Sequence, residues 1–164
     1  MRFEEKLKKL KRDQLWSEYC GFLDMSLADY MYTQRRLMEE QLELCRKYGL
    51  ELDELEQKAL KLLHSRTGAE IARDVFGVDE EIYSAIRWHT TGHANMTLLE
   101  KIIYLADYIE PTRNFPGVEE LRKACYEDLD GGLLLGLEMS IQEMTDMGNP
   151  VHHATVDARD ALKK

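Results

Sequence analysis

The feature that most constrains this chain is the segment Ile102–Ile109, which is apolar except for one aspartate, Asp107. Thr97 and Glu100 form a capping-box pattern that predicts the start of a helix, and Pro111 predicts its end. A carboxylate among apolar residues is costly to bury unless a positive group meets it. The sequence therefore predicts a helix whose carboxylate needs a positive group beside it.

The face of this helix that should meet the core is given by helical spacing. Leu99, Ile103 and Ala106 fall on one stripe. Asp107 lies one turn after Ile103, so we expect it at the border of the core. That position makes Asp107 a candidate functional residue.

A second predicted helix leads into this segment. Asp79 is a typical N-cap residue, and Ile82, Ile86 and His89 follow at helical spacing on one face. Thr90–Gly92 then break the helix. His89 is therefore predicted at the inner edge of a helix C-terminus.

The remainder of the chain predicts an all-α fold, because helical periodicity dominates and no alternating strand pattern occurs. The other predicted helices cover residues 3–12, 26–48, 52–64, 68–76, 118–126, 131–147 and 155–162. In the 52–64 helix, Asp53 and Glu56 form a capping arrangement. His64 falls at the end of that helix, on an apolar border.

Composition limits the partners of this chain of 164 residues. Its formal net charge of -9 argues against sequence-independent binding of nucleic acid, which requires a basic face. No apolar run is long enough to span a membrane, and the charged N-terminus does not resemble a signal peptide. Three widely spaced cysteines, Cys20, Cys45 and Cys125, suggest reduced thiols. We therefore expect a cytoplasmic protein.

Three side chains at or near helix ends suggest a metal site: His64, His89 and Asp107. Two imidazoles and a carboxylate suit a divalent transition metal such as iron, manganese or zinc. An acidic protein that handles phosphates needs such a local positive charge. Polar and basic residues near these ligands in sequence are candidates for polyphosphate binding, namely Arg66, Thr91, Lys101 and Arg113.

Simpler explanations exist for each of these residues. A histidine at a helix C-terminus can interact with carbonyl groups instead of a metal. Asp107 can form an ion pair with Arg87 or Arg113. Spacing alone therefore indicates a helical protein that could have a His/Asp metal site, and leaves both explanations open.

A longer pattern carries a family resemblance. Residues 88–118 read W-H-T-T-G-H-A-N-M-T-L-L-E-K-I-I-Y-L-A-D-Y-I-E-P-T-R-N-F-P-G-V. This stretch resembles the C-terminal half of the YqeK-type HD-domain hydrolases, which are symmetrical bis(5'-nucleosyl)-tetraphosphatases. The resemblance extends over roughly residues 42–164.

The resemblance implies an HD-type helical bundle that binds a divalent metal, iron first among the candidates. Metal-activated water would cleave a dinucleoside tetraphosphate and give ADP. By the same resemblance, His64, His89 and Asp107 fall on family histidine and aspartate positions, with Asp107 as the catalytic residue. Thr91 and Arg113 would contact the substrate.

The chain departs from this family at its N-terminal end. The family has an early metal histidine and a His-Asp pair, whereas no histidine precedes His64 here, and Ala28-Asp29 is the nearest match to the pair. We therefore divide one compact domain into an atypical segment, residues 1–41, and a hydrolase-like region, residues 42–164. The alternative function is an inactive relative that binds a nucleotide or a partner, and a homodimer could cover the apolar faces of the Leu98–Ile109 helix.

Overall fold

The structure is a computed structural model that describes residues 27–163, with side chains described from Leu37 onward. Within these residues it contains helices and no strands, so the all-α prediction is confirmed. The helices are α1 (Leu27–Lys47), α2 (Glu54–Lys58), α3 (Leu63–Ile71), α4 (Glu80–Trp88), α5 (Leu98–Ile109), α6 (Val118–Glu127), α7 (Leu129–Asp146) and α8 (His153–Leu162). A 3-10 turn, Leu60–Leu62, precedes α3, and a π turn, Ala72–Phe76, follows it.

The chain forms two compact units, Met1–Leu50 and Glu51–Lys164. The described part of the first unit is α1 and the turn after it. Gly49 has a positive φ of 64°, which favours glycine, and the amide of Leu50 donates to the carbonyl of Cys45. The predicted end of this helix at Gly49 is confirmed, while the predicted division after residue 41 falls inside α1. The predicted helix over residues 3–12 and the Ser26 cap lie outside the described residues.

The second unit begins with a capping box that the sequence predicts. The Asp53 side chain accepts from the amide of Glu56 at 2.7 Å, and the Glu56 carboxylate accepts from the amide of Asp53 at 3.1 Å. The predicted helix over 52–64 is wrong in extent, because α2 ends at Lys58. The buried Glu56 carboxylate pairs with Arg66 of α3 at 2.6 Å. Residues ten apart on one straight helix lie about 15 Å apart along its axis, so this pair requires the break.

In the core of this unit, α5 buries a different face from the one that the sequence predicts. Tyr104 and Leu105 are buried and pack with Leu133 and Leu137 of α7, whereas Ile103 is 37% exposed. Leu99 is half-buried and Ala106 is exposed, so the stripe predicted to face the core is wrong. Because α5 is apolar on several sides, contact with α7 decides which side is buried. An apolar row remains exposed on α5, made of Leu98, Ile102 and Ile103.

No helix between residues 27 and 163 combines the length and the apolar character needed to cross a lipid bilayer.

Candidate metal centre

Two histidines 25 residues apart in sequence meet between α3 and α4. His64 lies in the first turn of α3, and His89 is the C-cap residue of α4. Their Nε2 atoms are 3.0 Å apart, and the ring planes are inclined at 71°. As predicted, Asp79 is the N-cap residue of α4, and its side chain accepts from the amide of Ile82 at 3.0 Å. The prediction that His64 ends a helix is wrong, because it lies at the start of one.

Backbone carbonyls fix the tautomer of both imidazoles. Nδ1 of His64 lies 2.6 Å from the carbonyl oxygen of Lys61, and Nδ1 of His89 lies 2.7 Å from that of Ile86. Because a carbonyl only accepts, each Nδ1 must carry a proton and donate it. In the neutral rings, both Nε2 atoms then present lone pairs to each other. Two lone pairs that face each other at 3.0 Å repel, and a cation bound near both would relieve that repulsion.

The hydroxyl of Thr90 completes this small cluster. Its Oγ1 lies 3.2 Å from Nε2 of His64 and 3.3 Å from Nε2 of His89. The sequence analysis missed Thr90, although its position directly after His89 in the turn was a usable signal. The three groups together provide two imidazole nitrogens and one hydroxyl oxygen facing a common point.

Asp107 is placed differently from the expectation. Its carboxylate side chain is 59% exposed, with Oδ1 3.5 Å from a terminal nitrogen of Arg113. The expected position at the border of the core is therefore wrong, and the Arg113 ion pair, one of the alternatives left open, is present. Within residues 27–163, Asp107 does not complete a set with His64 and His89 in which all ligand atoms lie within 4.8 Å of one another. Its role as a metal ligand and catalytic group stays a prediction.

The four residues predicted to bind polyphosphate each make other contacts. Arg66 donates to the carbonyl of Glu51 at 2.7 Å and pairs with Glu56. Lys101 pairs with Asp130 at 2.6 Å. The others are Arg113, which pairs with Asp107 and Glu110, and Thr91, which is buried and donates to the carbonyl of Gly92. Their roles in substrate binding stay predictions.

Positive charge nevertheless lies on the two helices that carry the histidines. Arg66 belongs to α3 and Arg87 to α4. Burial, and after it the charge of Arg66, lower the pKa of Arg87, while the carboxylates of Glu56 and Glu70 act in the opposite direction. The two helices that carry the histidines therefore also carry two guanidinium groups, of which Arg66 is paired with Glu56.

A buried carboxylate fixes the turn that carries His89 and Thr90. Glu100 is 2% exposed and accepts hydrogen bonds from the Ser84 hydroxyl of α4 and from the Thr97 amide. His93 places Nε2 3.1 Å from the same carboxylate. Burial acts to raise the pKa of Glu100, but these partners outweigh it and the pKa is lowered. Glu100 therefore connects α4 to α5 as an ionised group.

Glu100→Gln is expected to lower the free energy of unfolding at neutral pH by about 1–3 kcal/mol, because it removes a buried charge from its donors. The pKa of Glu100 is lowered below its ordinary value of 4.5, so its stabilisation is complete above that pH. It is lost as the pH falls through the lowered pKa. The difference between wild type and variant should therefore shrink in acid, as measured by urea denaturation from pH 7 to pH 3. A difference that is constant with pH would contradict this account.

The fold and the convergent imidazoles define a helical protein suited to binding a metal ion. A model of the HD domain matches residues 32–112. A symmetrical bis(5'-nucleosyl)-tetraphosphatase of Halalkalibacterium halodurans is 46% identical over 103 residues, which cover 62% of this chain and 55% of that protein. The protein of the same name from Bacillus subtilis is 46% identical over 92 residues, covering 56% of this chain and 50% of the relative.

A solved structure agrees with these relatives. The crystal structure of a predicted HD superfamily hydrolase involved in NAD metabolism from Clostridium acetobutylicum superposes with a TM-score of 0.73 at 46% identity. The match covers 77% of this chain and 67% of that one. The chain belongs to the HD-domain family, and the resemblance to the symmetrical tetraphosphatases is confirmed. It spans about half the length of the curated relatives it matches.

Proposed function

We propose that this chain is a metal-dependent phosphohydrolase that acts on dinucleoside tetraphosphates, and that His64 and His89 hold its divalent ion. The observation that carries the proposal is the fixed pair of Nε2 lone pairs at 3.0 Å. Carbonyl partners at Nδ1 are the usual way in which proteins orient metal-binding imidazoles. Matched relatives are named for hydrolysis of this substrate class.

Each residue near the pair has a distinct task in this proposal. His64 and His89 hold the ion, and the carbonyls of Lys61 and Ile86 keep both rings oriented. When bound, a divalent ion supplies a water of lowered pKa and draws charge from phosphate oxygens. The Thr90 hydroxyl can donate to an oxygen that enters the cluster. Arg66 and Arg87 supply positive charge for the phosphate chain.

Several finer assignments belong to the same proposal. By family likeness, iron is the first candidate for the ion, with manganese and zinc as alternatives. Asp107 as catalytic ligand, with Thr91, Lys101 and Arg113 as substrate contacts, remains part of the prediction. The cytoplasmic location and the homodimer also remain part of the prediction. The exposed apolar row on α5 is the surface through which a homodimer would form.

Incubation with diadenosine tetraphosphate and Fe²⁺ or Mn²⁺, followed by chromatography, tests the proposal. We expect ADP as the product, formed only when the metal is present. A purified symmetrical tetraphosphatase assayed in parallel shows that the conditions support hydrolysis. If that enzyme releases ADP and this chain does not, the catalytic proposal is wrong. Retained nucleotide binding in that case would support the alternative, a relative that binds without turnover.

A further inference from the structure

A second group of potential metal ligands lies at the N-termini of α2 and α8. Asp53 is the N-cap residue of α2, His152 is the N-cap residue of α8, and His153 is the first residue of α8. Oδ2 of Asp53 lies 3.8 Å from Nε2 of His152 and 3.9 Å from Nδ1 of His153. All three ligand atoms lie within 4.8 Å of one another. His152 is buried, with only 8% of its surface exposed.

The two helix caps determine which atoms are available. Oδ1 of Asp53 accepts from the amide of Glu56, which leaves Oδ2 directed at the histidines. The His152 and His153 rings are stacked, with centroids 4.4 Å apart. His153 is 71% exposed, so the cluster opens to solvent on one side. A small ion can therefore reach the three atoms and keep water in its remaining positions.

We propose that Asp53, His152 and His153 form a second binding site, for a divalent transition-metal ion. Two imidazoles and one carboxylate are the ligand types that zinc, iron and related ions take in proteins. None of these residues belongs to the His64/His89 pair. An ion bound here would connect the start of α2 to the start of α8, two points about a hundred residues apart in the chain. Metal binding at this site should therefore also hold the starts of α2 and α8 together.

Metal binding at this site has a particular signature at the cap of α8. Nδ1 of His152 accepts from the amide of Ala154 at 3.1 Å, so the proton of the neutral ring resides on Nε2. Coordination uses the Nε2 lone pair, and the ring proton must then occupy Nδ1. The hydrogen bond from Ala154 is lost in the same step. The amide resonance of Ala154 should therefore shift when metal binds.

Zinc titration by calorimetry tests the proposal in a His64→Asn/His89→Asn background, where the other candidate pair is removed. We expect one Zn²⁺ bound per chain, a higher Tm with zinc, and a shift of the Ala154 amide resonance. Adding Asp53→Asn or His153→Asn should each lower the zinc affinity at least about tenfold, because one of three ligands is lost. Absence of zinc binding in the background protein would overturn the proposal.

The Asp53→Asn substitution has a matched control in the same unit. Asparagine caps a helix about as well as aspartate, so α2 should remain formed. Asp79 is also an aspartate N-cap, that of α4, and lies outside the cluster. Asp79→Asn should leave zinc affinity unchanged. If Asp53→Asn and Asp79→Asn bind zinc equally well, Asp53 is not a ligand and the proposed site is wrong.

Discussion

Gly132→Ala is expected to destabilise the unit Glu51–Lys164 by about 2–3 kcal/mol, because it places a methyl group where α6 and α7 cross. A Cβ at Gly132 would lie 2.6 Å from Cα of Cys125 and 2.7 Å from its amide nitrogen. Both are backbone atoms of α6, so a rotamer change cannot relieve the overlap. Leu121 and Leu133 are fully buried in these two helices, which leaves little room for α6 to shift as a body.

Gly68→Ala is the matched control, since Gly68 also lies inside a helix, α3. A Cβ there would meet only Cγ2 of Ile86 at 3.7 Å, an ordinary contact. Alanine is favoured over glycine in helix interiors, so this change should stabilise by about 0.5–1 kcal/mol. Denaturation in urea, with both variants and wild type compared at one temperature, gives the two values. Equal stability of Gly132→Ala and wild type would mean that α6 and α7 do not approach so closely.

The residues at which helices begin were the most predictable part of this fold. The structure has the predicted side-chain caps at Asp53, Asp79 and Thr97. Each cap depends on hydrogen bonds between residues three apart, so the sequence contains both partners. Tertiary packing has little influence on such a signal.

The faces and breaks of helices were less predictable, for a physical reason. Around Ala59 the residues favour a helix, but the pairing of Glu56 with Arg66 holds α2 against α3 and requires a break. On α5, several sides are apolar, and the neighbouring helix decides that Tyr104 and Leu105 are buried. Both outcomes depend on partners distant in sequence, which periodicity does not contain.

The candidate site was predictable as a set of residue types and not as a geometry. His64 and His89 were named from helix ends and family resemblance, and they meet. Asp107 was expected near the core because its neighbours are apolar, yet the side of α5 that includes it is exposed. His152 was missed because its burial depends on the packing of α8. A single sequence gives the residue types of the candidate metal ligands, but it does not give the distances between them.

His89→Asn is expected to lower both metal affinity and ADP formation at least about 100-fold, and His64→Asn should do the same. Asparagine retains a donor near the position of Nδ1, so the hydrogen bonds to Ile86 or Lys61 can persist. It has no group at the position of Nε2, where the ligand atom lies. Each variant should therefore keep its Tm in metal-free buffer while losing the ion. Calorimetric titration with Mn²⁺, done in an Asp53→Asn/His153→Asn background that removes the second proposed site, and the chromatographic ADP assay provide the two measurements.

Two further variants, His89→Gln and Asp107→Asn, show which of these side chains bind the ion. His89→Gln extends an amide toward the place of Nε2 but offers a far weaker ligand than imidazole, so the loss of affinity should persist. If Asp107 is the third ligand that the sequence predicts, Asp107→Asn should reduce affinity as His89→Asn does. An unchanged affinity would exclude Asp107 from the ligand set and leave its carboxylate as the partner of Arg113. Normal Mn²⁺ binding by both His64→Asn and His89→Asn would show that the facing imidazoles do not hold the metal ion.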